Sequence, residues 1–209
     1  MTPRGRFITL EGGEGAGKST QARLLAEALA AQGRDVVVTR EPGGTAGAEA
    51  IRALLLATEG AGWLPRAEAL LFAAARSDHV ERLIRPALDR GTWVVCDRFV
   101  DSSRAYQGGS KALDDTAIMD LHRIGSTGLL PDLTLLIEVS PEVAAARLAA
   151  RDPEGADRIG GRPAEYHAAV GARFRAIAEA EPERFVRIPG NGSPAETHAA
   201  VLAAIAALA

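Results

Sequence analysis

The sequence predicts an α/β fold, a parallel sheet covered on both faces by helices and built around a nucleotide-phosphate loop. Three observations carry this. Apolar, β-branched runs at 7–11, 35–40, 93–97, 133–139 and 184–189 do not alternate polar with apolar residues, the pattern of strands buried on both faces. Helical stretches at 18–32, 46–57, 66–90, 114–127, 141–150, 163–181 and 194–208 separate and follow them, as crossover connections require. "GGEGAGKS", 12–19, fills the pattern G-x-x-x-x-G-K-[ST] between the first run and the first helix.

Taken in order, "FITLE" (7–11) runs into that glycine loop. Glycines let backbone N–H groups curl around phosphate oxygens, and the N-terminus of the following helix adds a positive field. Lys18 can reach the β- and γ-phosphates, and the Ser19 hydroxyl can hold Mg²⁺. The second strand, "DVVVTR" (35–40), ends in another glycine turn, "TREPGGT" (39–45). Its Arg40 suits a second phosphate, because a guanidinium pairs with phosphate bidentately. The competing reading of Arg40 is a surface ion pair with Glu41 or Glu49.

The third strand, "WVVCD" (93–97), ends in Asp97, a candidate to organise a metal, and Arg98 follows it. Glu138, ending "LTLLIE", is the rival acid. The turns 12–19, 40–45 and 97–109 are expected to meet at the carboxyl ends of the strands, where open α/β sheets bind ligands. Residues 150–162, "ARDPEGADRIGGR", are glycine-rich, charged and poor in apolar residues, so they are expected to form a mobile lid rather than core. The phosphate loop carries Gly13, Glu14, Gly15 and Ala16 at its variable positions, so no arginine comes from the cradle. The lid offers Arg151, Arg158 and Arg162 to neutralise charge on a transferred phosphoryl group.

Composition removes other classes. At 209 residues with 47% apolar content, one domain can bury a sizeable core. A net charge of −3 without a basic block gives no electrostatic case for nucleic acid. No apolar run reaches the about 18 residues that span a bilayer, and no signal peptide is expected. The single cysteine, Cys96, forbids an intrachain disulfide and agrees with a cytoplasmic location. The four histidines are scattered without ligand spacing. A guanine-nucleotide switch would show Asn-Lys-x-Asp after a strand, but Asn191 is the only asparagine and lacks that context. "DPEG" at 152–155 fits Asp-x-x-Gly only formally, since it follows a helix. A kinase for a deoxynucleoside would not need an arginine clamp on a second phosphate.

"GGEGAGKST", "TREPGGT", "LLFAAARSDH", "DRFVDSSRAYQGG" and "LPDLTLLIEV", in that order from about residue 6 to the C-terminus, closely resemble the bacterial thymidylate kinases. The second and fourth motifs are specific to that family. One position departs: Phe99 stands where the family often has Tyr. The resemblance implies a P-loop nucleoside monophosphate kinase fold, a five-stranded parallel sheet in the order 2-3-1-4-5. It implies one domain over 1–209 with a lid at about 147–163. It implies γ-phosphoryl transfer from ATP to dTMP with Mg²⁺, giving dTDP and ADP, in a homodimer; from charge and hydropathy, no nucleic-acid or membrane partner is expected.

By position, the resemblance places Gly12, Gly13, Glu14, Gly15, Ala16, Gly17, Lys18, Ser19, Thr20 and Arg147 at ATP, with Arg147 flanking the adenine. Ser19 and Asp97 fall to the metal. Phe72 stacks on thymine and Arg76, four residues on and so on the same helix face, donates to its O4. Ser103 and Gln107 meet the other polar edge of the base, and Tyr106 packs beneath the deoxyribose. Arg40, Arg52 and Arg98 surround the acceptor phosphate, with Glu41, Pro42 and Ser102 also lining the site. Lys18, Arg98, Glu14, Arg151 and Arg158 form the catalytic set, Glu14 facing the sugar or the metal's water shell.

Overall fold

A computed structural model describes residues 4–109, 113–151 and 160–208, the side chains of 151 and 207 excepted. The sheet is five-stranded and parallel, in the order β2-β3-β1-β4-β5. The strands are β1 (Phe7–Glu11), β2 (Val36–Arg40), β3 (Trp93–Asp97), β4 (Leu133–Glu138) and β5 (Phe185–Pro189). Each lies within a residue of the run that predicted it.

Central β1 is buried along its whole length, which explains its unbroken apolar pattern. Its one inward hydroxyl is satisfied across the sheet, Thr9 pairing with Thr134 at 3.0 Å. Helices α1 (Lys18–Ala31) and α9 (Pro194–Ile205) cover one face, where Ile8, Leu10, Leu25, Leu29, Leu135, Val201 and Ile205 form a continuous core. On the other face Phe7, Val80, Ile84, Leu88, Val94 and Phe99 form a second cluster. A third, with Tyr106, Leu136, Phe174 and Phe185, packs α8 (Ala164–Ala180) against the sheet.

Two expected elements differ. The stretch 66–90 is not one regular helix: α3 (Pro65–His79) runs through a π-turn at Val80–Ile84 into α4 (Arg85–Asp89). Pro86 has no N–H and its ring crowds the carbonyl four residues back, so the ladder widens just before it. The stretch 97–109 is not simply a turn, because Val100–Tyr106 forms α5. The remaining helices are α2 (Ala46–Leu56), α6 (Asp115–Ser126) and α7 (Pro141–Arg151). Thr45 caps α2, Asp114 caps α6, and Ser193 with Glu196 closes a capping box on α9. Among the described residues no helix is long and apolar enough to cross a membrane.

The strand order reverses direction at β1, which has β3 on one side and β4 on the other. The crevice beyond the carboxyl end of β1 is therefore the topological switch point, and the glycine loop sits there.

Candidate active site

The loop after β1 takes its shape from glycine. Gly12 has φ +140°, and a Cβ there would lie 2.4 Å from the Ile137 carbonyl oxygen. Lys18 opens α1 with its ammonium folded over the loop, donating to the carbonyls of Gly12 at 3.2 Å and Gly13 at 2.7 Å. Burial, and then the Arg98 charge, lower this lysine to about 8. An anion at the loop would offset both effects.

Ser19 Oγ donates to Asp97 Oδ2 at 2.5 Å, which joins the loop to the end of β3. Asp97 Oδ1 is buried and has no hydrogen-bond partner among the described residues. A hydroxyl beside an under-satisfied carboxylate fits Mg²⁺, which takes one or two protein oxygens and completes its shell with phosphates and water. The rival acid, Glu138, is committed to Arg187 at 2.6 and 3.1 Å.

Arg98 is a non-glycine residue in the left-handed region, φ +70°. Buried Glu11 holds this conformation from across the chain. Its Oε1 accepts from the backbone N–H groups of Phe99 at 2.8 Å and Ser102 at 3.2 Å, and its Oε2 from the Ser102 hydroxyl at 2.6 Å. Burial first, then the charge of Asp101, raise the Glu11 carboxyl to about 7. The Arg98 guanidinium donates to the Gly12 carbonyl, Ser102 Oγ, Glu14 Oε1 at 2.5 Å and Tyr106 OH, and lies 5.1 Å over the Tyr106 ring. Arg98 therefore stands between the phosphate loop and the second compartment. Glu14, expected at a sugar or metal-water shell, lines the cavity and holds Arg98.

The second compartment is walled by the turn after β2, by α3 and by α5. Arg40 and Arg52 both line it; Arg40 pairs with Glu49 at 2.8 Å, the surface contact weighed for it, and Arg52 donates to the Pro42 carbonyl at 2.8 Å. Phe72 and Arg76 share the α3 face that looks into the cavity. Arg76 is 3% exposed. It donates to Glu41 Oε2 at 2.7 Å, Ser103 Oγ at 2.8 Å and the Phe99 carbonyl at 3.3 Å. The other oxygen of Glu41 meets His79 Nδ1 at 3.1 Å, and His79 Nε2 meets Thr39 Oγ1 at 2.8 Å. Gly44 closes over this cluster, where a Cβ would lie 2.4 Å from Thr39 Oγ1. Glu41 was expected among substrate contacts; it lines the cavity while anchoring Arg76. Phe99 is fully buried edge-on against Phe7 and His122, so the ring does its work there without a hydroxyl.

One cavity of about 530 Å³ joins both compartments, a size typical of small-ligand sites. Gly15, Ala16, Gly17, Lys18, Ser19, Thr20, Asp97 and Arg147 line one end; Pro42, Phe72, Arg76, Ser102, Ser103, Tyr106 and Gln107 line the other. Arg147, from α7, donates to the carbonyls of Gly190 at 2.8 Å and Gly192 at 2.9 Å, bracing the outer wall of the phosphate-loop end. Arg151 ends α7. Arg158, with the rest of the 152–159 stretch of the expected lid, lies outside the described residues. Sequence reasoning missed Glu11, Glu68 and His79. Each is far along the chain from the residue it orients, so no local motif signals it.

A P-loop joined to a second, arginine-walled compartment defines a nucleotide-dependent phosphotransferase. The thymidylate kinase family model matches residues 10–201. The chain is 58% identical to a thymidylate kinase of Rhizorhabdus wittichii over 204 residues, covering 98% of each protein. It is 50% identical to that of Rhodopseudomonas palustris over 206 residues, covering 97% of this chain and 89% of that one. The crystal structure of thymidylate kinase from Ehrlichia chaffeensis superposes with a TM-score of 0.77 at 33% identity, covering 97% of this chain and 99% of that one. The chain belongs to the thymidylate kinase family.

Proposed function

We propose that the chain transfers the γ-phosphoryl group of ATP to dTMP, giving dTDP and ADP. The observation that carries this reading is the continuous cavity in which Arg98 stands between a phosphate loop and a second pocket lined by Pro42, Phe72, Arg76, Ser103 and Gln107. Such a cavity suits a donor and an acceptor held end to end rather than one nucleotide alone. Phosphoryl transfer asks for alignment and charge neutralisation more than covalent chemistry.

The loop N–H groups and Lys18 hold the donor phosphates, and Arg147 flanks the adenine. Arg40, Arg52 and Arg98 hold the acceptor phosphate so that its oxygen lies in line with the γ-phosphorus. Phe72 stacks on thymine, Arg76 donates to O4, Ser103 and Gln107 meet the remaining polar edge, and Tyr106 fills the space below C2′. Ser19 and Asp97 hold Mg²⁺, which supplies neutralisation of charge on the β- and γ-phosphates. Arg151 and Arg158 complete the neutralisation from a lid over 147–163 on a single domain. The chain works as a cytoplasmic homodimer, without nucleic-acid or membrane partners. A coupled ADP-release assay with ATP, Mg²⁺ and a panel of monophosphates tests this: dTMP should give the highest kcat/KM, and a uniform response across dTMP, dCMP, dGMP and dAMP would remove the assignment.

A further inference from the structure

We propose that Glu68 is a specificity-determining positioning residue: it fixes the amide of Gln107 so that the acceptor base meets a carbonyl oxygen rather than an N–H. The proposal rests on the dTMP reading above. Glu68 lies in the first turn of α3, 7% exposed, four residues before Phe72 and eight before Arg76, and so on the cavity side of the helix. Its two oxygens face different partners. Oε1 accepts from Gln107 Nε2 at 2.9 Å, and Oε2 accepts from Arg162 Nη2 at 2.5 Å. Arg162 also donates to Tyr166 OH at 2.5 Å, and Tyr166 donates to the Tyr106 carbonyl at 3.0 Å.

The chemistry of the carboxylate decides the orientation of the amide. The Glu68 carboxylate turns Oε1 to Gln107 and Oε2 to Arg162, and both oxygens accept. Gln107 must therefore turn its nitrogen toward α3, and the carbonyl oxygen is the end left for the cavity it lines. Gln107 is 4% exposed, so the amide cannot satisfy itself with bulk water after turning over. A carbonyl there matches the N3–H donor of thymine. Cytosine presents an acceptor at N3 and would be repelled. Glu68 thus reads N3 through Gln107, at a different place on the ring from the O4 assigned to Arg76.

Glu68 also pins Arg162 at the edge of the lid segment, and two substitutions separate that role from the orientation of Gln107. Glu68→Gln keeps the size and leaves one oxygen, which the charged Arg162 takes. The introduced amide nitrogen then faces Gln107 and turns it over. The ratio of kcat/KM for dTMP to that for dCMP should fall by roughly 10- to 100-fold, the range set by one mispaired buried group. Arg162→Leu removes the pin and leaves Glu68 on Gln107, so the same ratio should stay within about twofold while rates for both acceptors fall together. Gln107→Leu, which lacks an amide to orient, should lower the ratio, and adding Glu68→Gln to it should change the ratio no further. An unchanged ratio in Glu68→Gln or in Gln107→Leu overturns the proposal, as does an equal fall in Arg162→Leu. If the wild-type protein phosphorylates no dTMP, the functional reading itself fails; if it does and the ratio stays put, only the role of Glu68 fails.

Discussion

Removing Arg76 should cost stability and base choice separately, and the structure shows how to measure each. Arg76 and Glu41 are 3% and 4% exposed at their side chains and meet at 2.7 Å. Arg76→Met keeps much of the volume but leaves the Glu41 carboxylate buried with neutral or weakly basic His79 in place of a guanidinium beside it. Breaking one side of a buried pair costs about 3–5 kcal/mol, because the surviving charge is not solvated. For a chain of this size about 1 kcal/mol corresponds to roughly 2–4 °C in Tm, so a fall of at least ~6 °C is expected. Arg76→Met/Glu41→Gln removes both charges and should recover more than half of that loss. Base choice should not recover. Thymine offers an acceptor at O4 where cytosine offers an amino donor, and Arg76 can only donate. Both variants should show the same collapsed dTMP/dCMP ratio of kcat/KM, whereas Phe72→Ala, which removes only stacking area, should weaken the two acceptors about equally. Thermal unfolding and steady-state kinetics on the same preparations decide it. A Tm within about 2 °C of wild type in Arg76→Met would refute the buried-pair argument, and a wild-type ratio in that variant would refute the reading of O4.

Three further outcomes are expected. Lys18→Ala should keep the fold and lose turnover, and retention of more than about a tenth of wild-type kcat would sink its role at the phosphates. Arg151→Ala and Arg158→Ala should each lower kcat with little change in KM for dTMP, since their charge acts on the transferred group; wild-type kcat in both would move the catalytic charge elsewhere. Glu11, raised from 4.5 to about 7, binds its proton more tightly folded than unfolded. Its contribution is therefore fully present below pH 4.5 and is lost as pH rises through 7. Denaturant midpoints of wild type should lose stability over that window relative to Glu11→Gln, and parallel pH profiles would contradict the assignment.

The strands and the phosphate loop were legible because their signals are local: a run buried on both faces, or a loop whose function fixes its glycines. What escaped is held from a distance. Helix α5 spans only seven residues and reads as turn, yet Glu11, 88 and 91 positions from Phe99 and Ser102, accepts their N–H groups and fixes its start. Residues 66–90 have an unbroken helical pattern, and only the position of Pro86 marks the π-turn. In the site, Phe72 and Arg76 announce a shared face by their spacing. The commitment of Arg76 to Glu41 and of Gln107 to Glu68 depends on elements 35 and 39 positions apart coming together, which spacing does not encode.

Both ends of the cavity serve one reaction, and the fate of the γ-phosphate reports on it. The protein would be mixed with Mg²⁺ and γ-labelled ATP alone, with thymidine, and with dTMP, and the labelled products separated. Label should appear in dTDP when dTMP is present, with little turnover in the other two mixtures. Label released as inorganic phosphate at the same rate without acceptor, or carried to thymidine in preference to dTMP, would contradict it.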